Sequence, residues 1–126
     1  MPNIAAVVAC ALLGALAVFQ LALIAGAPIG HLAWGGQHRV LPTRLRIGSA
    51  VSIVLYALFA LVILDRAGIV SFIPWDGFVQ VATWVLFGYF VLGIALNLAS
   101  RSVPERAVMV PAAALLAIAT FFVALG

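Results

Sequence analysis

Apolar residues are concentrated in four long segments of the chain, at residues 4–27, 47–64, 78–98 and about 103–125. An α-helix needs about 20 mostly apolar residues to cross the hydrocarbon core of a bilayer, and each segment is close to that length. The only charged residues within the segments are Glu105 and Arg106, in the opening turn of the fourth. The sequence does not alternate between polar and apolar residues as a transmembrane β-barrel does. The pattern therefore predicts an all-α membrane protein, in which residues 1–126 form a single four-transmembrane-helix bundle.

The composition supports a membrane protein and excludes several other classes. Hydrophobic residues make up 67% of the 126 residues and charged residues 7%, whereas soluble domains carry about 25% charged residues. A chain this small has too little interior to bury so much apolar surface in water. Its single cysteine, Cys10, excludes a disulfide scaffold, and its hydrophobicity excludes disorder. Six arginines spread over short loops do not form the basic face that nucleic acids require, so we expect no nucleic-acid partner.

The positions of the arginines predict how the chain is oriented. The first and third loops and the residues beside them hold five of the six arginines, and the second loop holds only Arg66. Because loops rich in basic residues stay in the cytoplasm, we expect the first and third loops to be cytoplasmic and both termini to lie outside. The basic residues are all arginine and never lysine. This usage is typical of GC-rich bacterial genomes and favours a bacterial inner membrane.

Local motifs predict where the fourth helix begins, where the second helix ends and where the fourth helix bends. Ser102 and Glu105 have the S-x-x-E spacing of a capping box, which begins the fourth helix. Gly68 follows the second segment and is a plausible C-terminal cap. Pro111 lies inside the fourth segment, where its ring removes the backbone hydrogen bond to the Ala107 carbonyl. We therefore expect a helix kink at Pro111.

The first loop, residues 28–46, carries the densest group of chemically active side chains. Both histidines of the protein and three of its arginines lie here, beside a Gly-Gly pair that allows unusual backbone conformations. The candidate ligand-binding or gating residues are His31, Trp34, Gln37, His38, Arg39, Arg44 and Arg46.

Three interpretations of this loop remain open. In the first, the loop lies at the membrane surface, where its arginines contact anionic lipid headgroups and Trp34 anchors it. In the second, it gates a path or binds an anionic ligand, because the planar fork of arginine suits carboxylate and phosphate. In the third, His31 or His38 holds haem or a metal ion. Zinc sites take three or four ligands, and no cysteine or carboxylate lies nearby, so we predict no metal site and the sequence requires no cofactor.

Polar residues inside the spans form a second candidate group. Three of them recur on one face of the second helix and two on one face of the third, and one lies in the first helix. All of them fall in the cytoplasmic half, beneath the first loop. They either join helices by hydrogen bonds or line a water-filled vestibule that opens to the cytoplasm. The residues are Gln20, Ser49, Ser52, Tyr56, Tyr89 and Asn97.

Two function classes follow from these patterns. The first is an oligomeric transport or channel protein with a polar vestibule under the His/Arg-rich loop. The second is a non-catalytic accessory or scaffold subunit of a larger membrane complex. A membrane enzyme or haem carrier is the lesser alternative, since no catalytic constellation and no motif of a known family is present. With a mass of only 13.2 kDa, we expect the chain to form a homo-oligomer or to join a larger membrane partner.

Overall fold

The computed structural model describes residues 2–33, 36, 38–100 and 102–126. The site predictions made for Trp34 and Gln37 lie outside the described residues, as does Arg101. The backbone of His31 is described and its side chain is not.

Four helices make up most of the described chain. They are α1 (Pro2–Ile24), α2 (Thr43–Arg66), α3 (Asp76–Leu98) and α4 (Val103–Leu125), and a single 3₁₀ turn (Gly30–Leu32) lies between α1 and α2. Each of the four is long and apolar enough to cross a membrane. The predicted all-α four-helix bundle is confirmed, and the chain is a multi-pass integral membrane protein. Helices suit this setting because every backbone hydrogen bond is made within one segment, away from lipid.

Glycines end the first two helices in the same way. Gly26 and Gly68 follow α1 and α2 with φ of 92° and 80°, a backbone conformation that residues with a Cβ atom adopt only at a cost. After α2, the Gly68 amide bonds the Asp65 carbonyl and the Ile69 amide bonds the Leu64 carbonyl, which is a Schellman motif. The predicted cap at Gly68 is confirmed.

A proline and a serine mark the N-terminal starts of α2 and α4. Pro42 precedes α2, which begins four residues before the apolar segment, so that Arg44 lies in its first turn. Ser102 caps α4, because its Oγ accepts a hydrogen bond of 3.3 Å from the Glu105 amide. Pro111 lies on an exposed face of α4, which is continuous through it; the kink stays a prediction.

The helices pack as a ring in the order α2, α1, α4, α3. The α3–α4 and α1–α2 interfaces are the most extensive, and the α1–α4 interface joins the two pairs. The ring closes only sparsely between α2 and α3. We call the end with residues 25–42 and 99–102 the arginine-rich end, and the end with residues 67–75 the opposite end.

The main core fills the half of the bundle towards the opposite end. Alanines and leucines of α1 and α4 dominate it, and small side chains of this kind let helix backbones approach closely in a membrane. Its fully or almost fully buried members are Ala5, Ala6, Ala9, Leu13, Ile63, Leu86, Phe90, Leu116, Ala117, Ala119 and Val123. A smaller cluster of Leu23, Ala33 and Leu41 packs the first loop onto the arginine-rich end.

Charged side chains organise the opposite end. The carboxylate of Asp65 accepts hydrogen bonds from the amides of Phe72 and Ile73, at 2.9 and 2.8 Å, and so fixes the connection from α2 to α3. Arg66 donates from Nη2 to the Ala124 carbonyl at 2.8 Å. A cation here also suits the negative end of the α4 dipole. Arg66 therefore ties α2 to the end of α4.

Candidate functional site

A cavity of about 280 Å³ lies in the half of the bundle towards the arginine-rich end. All four helices and the 3₁₀ turn contribute to its wall. Most of the wall is apolar, and the polar side chains are few, as in pockets that bind small molecules. The polar lining residues are Gln20, Ser52, Tyr56, Tyr89, Asn97 and Glu105.

Five of the six span residues singled out from the sequence are brought together here. The exception is Ser49, which is fully buried and does not line the cavity. Spacing along each helix had placed these residues on shared faces, and the packing of α2 and α3 turns those faces towards one space. What they do there stays a prediction.

The hydroxyl of Ser52 is satisfied within its own helix. Its Oγ donates to the Gly48 carbonyl, four residues earlier, at 3.0 Å. Thr83, on α3, makes the same kind of bond to the Val79 carbonyl at 2.7 Å. Both of these bonds lie within one helix, as is common for Ser and Thr side chains in helices.

Gln20 holds a buried polar atom at the cavity wall. Its side chain lies beside the hydroxyl of Tyr56, and the residue is only 8% exposed. Its Oε1 atom has no hydrogen-bond partner among the residues that the structure describes. Buried polar atoms are rarely left unpaired, because the loss of solvation is costly. Gln20 therefore carries an unpaired hydrogen-bond acceptor beside the cavity.

Glu105 is the residue that sequence analysis placed in a different role. The sequence placed Glu105 in the capping box with Ser102, and the structure adds that its side chain is only 6% exposed and lines the cavity. Its position in the first turn of α4 stabilises a negative charge through the helix dipole. The signal was present in the sequence, since Glu105, Met109, Ala113 and Leu116 recur on one face of α4 and the later members of that face are core residues.

The cavity is open on the side where α2 and α3 meet. Three α3 residues of its wall, Tyr89, Leu92 and Leu96, are 52%, 56% and 64% exposed. They lie along the sparse contact between α2 and α3. In a bilayer, this opening faces the lipid chains.

Aromatic rings close the cavity towards the opposite end. Phe59 of α2 packs against Tyr89 and Phe90 of α3, with ring centroids 5.4 and 6.0 Å apart. Beyond this aromatic layer, a second and wholly apolar groove runs between α2 and α3. The rings supply the main contact across an otherwise sparse interface, and such pairs each contribute about 0.5–1.5 kcal/mol beyond area burial.

The first loop folds back on itself over the arginine-rich end. The Gly30 amide donates to the Arg39 carbonyl at 2.8 Å. A Cβ atom on Gly30 would lie 2.7 Å from that oxygen and closer still to the carbonyl oxygen of His38, so only glycine fits. The loop is thereby held with Leu32 and Ala33 against the cavity.

The described arginines of the first loop and the start of α2 lie outside the cavity wall. Arg39 and Arg44 are exposed, and Arg46 donates from Nε to the Leu41 carbonyl at 2.8 Å. The guanidinium of Arg46 also lies beside Gly26, at the C-terminal end of α1, where a cation is favourable. Arg46 thus has a structural role, whereas Arg39 and Arg44 are exposed at the arginine-rich end.

Metal ligation was considered for both histidines. Among the residues that the structure describes, no three His, Cys, Asp or Glu side chains come together. The side chain of His38 is half-buried in the first loop and that of His31 is outside the described part. Haem binding through either histidine stays a prediction.

Comparison with known proteins adds no relative. No protein-family model matches the chain, and no curated protein and no solved structure is detectably similar to it.

Proposed function

We propose that the protein binds a small solute in the cavity of the arginine-rich half and acts in its transport across the membrane. The observation that carries this proposal is the cavity itself, whose wall includes Gln20, with its unpaired and buried Oε1, and the buried acidic residue Glu105. A bundle with a purely structural role would gain stability by filling this space, because cavities cost packing energy.

The proposal includes self-association. The core fills the opposite half of the bundle, so a path through one copy requires that core to rearrange. A second copy placed against the opening between α2 and α3 gives another route, which is why an oligomeric carrier or channel is the preferred form.

The proposed orientation puts the arginine-rich end in the cytoplasm of a bacterium, as the distribution of basic residues favours. Arg39 and Arg44 would then contact anionic headgroups of the inner leaflet, each contributing about 1 kcal/mol to the surface attraction. The cavity would open in the cytoplasmic half.

Cysteine labelling tests the accessibility of the cavity. In a Cys10→Ala background, Ser52→Cys places a thiol in the cavity wall, and Val51→Cys places one on the exposed face of α2, about 1.5 Å away along the helix axis. A small water-soluble thiol reagent should modify the cysteine at position 52 much faster than that at position 51. Equal and slow labelling of both would remove the basis of the proposal.

The same reagent establishes the orientation. A membrane-impermeant form should reach Ser71→Cys in intact cells and Ser102→Cys only in inverted vesicles. The reverse pattern would place the cavity in the outer half of the membrane.

The second candidate function is an accessory subunit, and the exposure of α2 favours it. Only 11% of the membrane-spanning window of α2 is buried, against 39% for α4, so most of its surface is available to a partner helix. The mass of the purified protein in mild detergent separates the two candidates. Multiples of 13.2 kDa support transport, and a stoichiometric larger partner supports the accessory role.

A further inference from the structure

We infer that the ligand of this cavity is a lipophilic ammonium ion, which reaches it from the bilayer through the opening between α2 and α3. The inference rests on the proposed function and names its substrate class. It is built on three features of the cavity: its polar atoms, its aromatic wall and its lateral opening.

The polar groups of the cavity wall favour a ligand that donates hydrogen bonds and carries a positive charge. The buried Oε1 of Gln20 can only accept a hydrogen bond, and it has no partner among the described residues. Glu105 is the only charged residue among the described members of the wall. Hydrogen bonds from an ammonium group to a carboxylate are about twice as strong as neutral ones.

The aromatic residues of the wall also suit a cation. Phe19, Tyr56, Tyr89 and Phe90 line the cavity, and a cation over an aromatic ring is attracted most strongly where water is excluded. The sequence had pointed to an anionic ligand because of the arginines of the first loop. Arg39 and Arg44 lie at the surface and Glu105 lines the cavity, so the ligand inferred here has the opposite charge to the one that the sequence suggested.

The lateral opening between α2 and α3 indicates that the ligand also has an apolar tail. Leu92 and Leu96 lie both in the cavity wall and at the exposed surface of α3, so an apolar tail can extend from the cavity into the lipid. A volume of about 280 Å³ is at the lower end of the range for small-molecule sites. The cavity therefore takes the head group and the first part of a chain, and the remainder lies between α2 and α3.

Protection of a cysteine in the cavity wall tests the ligand class. Octylammonium is added to vesicles that contain the Cys10→Ala, Ser52→Cys protein, and the labelling rate at position 52 is measured. Octylammonium should slow labelling, whereas octyl sulfate, which has the same tail and the opposite charge, and methylammonium, which has no tail, should not. Equal protection by octyl sulfate would overturn the inference.

Two pairs of variants test the assigned polar groups. Gln20→Leu should raise the octylammonium concentration needed for half-protection about tenfold, as expected for one hydrogen bond to a charged group, and Gln80→Leu, an exposed glutamine outside the cavity, should not. Glu105→Gln should act in the same direction and Asp76→Asn should not. Thermal unfolding of each variant shows whether it is folded, and unchanged half-protection in folded Gln20→Leu contradicts the inference.

Substitutions at the opening between α2 and α3 test whether octylammonium enters the cavity from the bilayer. Leu92→Trp narrows it, and Val91→Trp adds the same bulk on the exposed face at the same depth, outside the wall. Leu92→Trp should slow the onset of protection by octylammonium but leave labelling by the water-soluble reagent unchanged; equal onset in both variants would exclude lateral access. If position 52 is not labelled even without octylammonium, the proposed function itself fails, whereas labelling without charge-selective protection defeats only this inference.

Discussion

The two halves of the bundle differ in how completely they are filled. Towards the opposite end, small and branched side chains pack into a continuous core, and charged groups such as Arg66 and Asp65 bond to backbone atoms. Towards the arginine-rich end, the same helices surround a cavity with a buried unpaired oxygen on Gln20. The difference indicates that one half provides most of the stability, and the other half has the space that the proposed ligand requires.

The largest change in unfolding free energy is expected from a substitution that disrupts the first loop, which covers the cavity. Gly30→Ala places a Cβ atom against the carbonyl oxygens of His38 and Arg39, and the backbone there cannot move away without losing the Gly30–Arg39 bond. We expect a loss of about 3 kcal/mol of unfolding free energy, measured by thermal or SDS-induced unfolding in detergent. Gly14→Ala is the control, because nothing lies within 4 Å of its Cβ position, and it should stabilise α1 by up to about 1 kcal/mol.

A smaller effect is expected at the opposite end. Arg66→Ala removes the bond to the Ala124 carbonyl and the cation at the end of α4, at a cost of about 1–2 kcal/mol in unfolding free energy. Arg44→Ala should be neutral or slightly stabilising, since Arg44 is exposed in the first turn of α2, where a positive charge is unfavourable. Equal losses in the two variants would mean that charge, and not the Arg66–Ala124 bond, is responsible.

The smallest changes in unfolding free energy are expected from two buried threonines in the filled half. Thr120 and Thr83 are both fully buried; Thr83 bonds to the Val79 carbonyl, and the Oγ1 of Thr120 has no partner among the described residues. Thr120→Val should therefore stabilise the protein by up to about 1 kcal/mol, and Thr83→Val should destabilise it by about 0.6 kcal/mol. The same unfolding assay measures both, and a loss in Thr120→Val would show that this hydroxyl is satisfied after all.

The fold could be predicted from the sequence because the bilayer permits so few alternatives. A long apolar segment in lipid must satisfy its backbone internally, and a helix does so. The ends marked by Gly68 and Ser102 could be predicted because their signals are local: one residue at positive φ and one hydroxyl at the start of a helix.

The candidate site could be predicted only in part. Spacing placed Ser52 and Tyr56 on one face and Tyr89 and Asn97 on another, but which faces meet depends on the order of the helices around the ring, which no local signal specifies. Glu105 was assigned to capping because its spacing from Ser102 suited that role. Sequence analysis could not predict that Arg46 bonds a backbone carbonyl or that Arg39 and Arg44 are exposed. Both depend on the folded path of the first loop, and contacts between distant residues of the loop determine that path.

The extensive contacts within α1–α2 and within α3–α4 bear on how the protein is assembled in the membrane. Each pair is a helical hairpin with an extensive interface of its own, so we expect each to insert before the other is present. The cavity is complete only after the two hairpins dock, because both contribute to its wall, and the Arg66–Ala124 bond then joins one hairpin to the other. Synthesis as two separate halves, divided within residues 67–75, would accordingly leave each half a stable insertion unit and make formation of the cavity a bimolecular event, dependent on the amount of each half in the membrane.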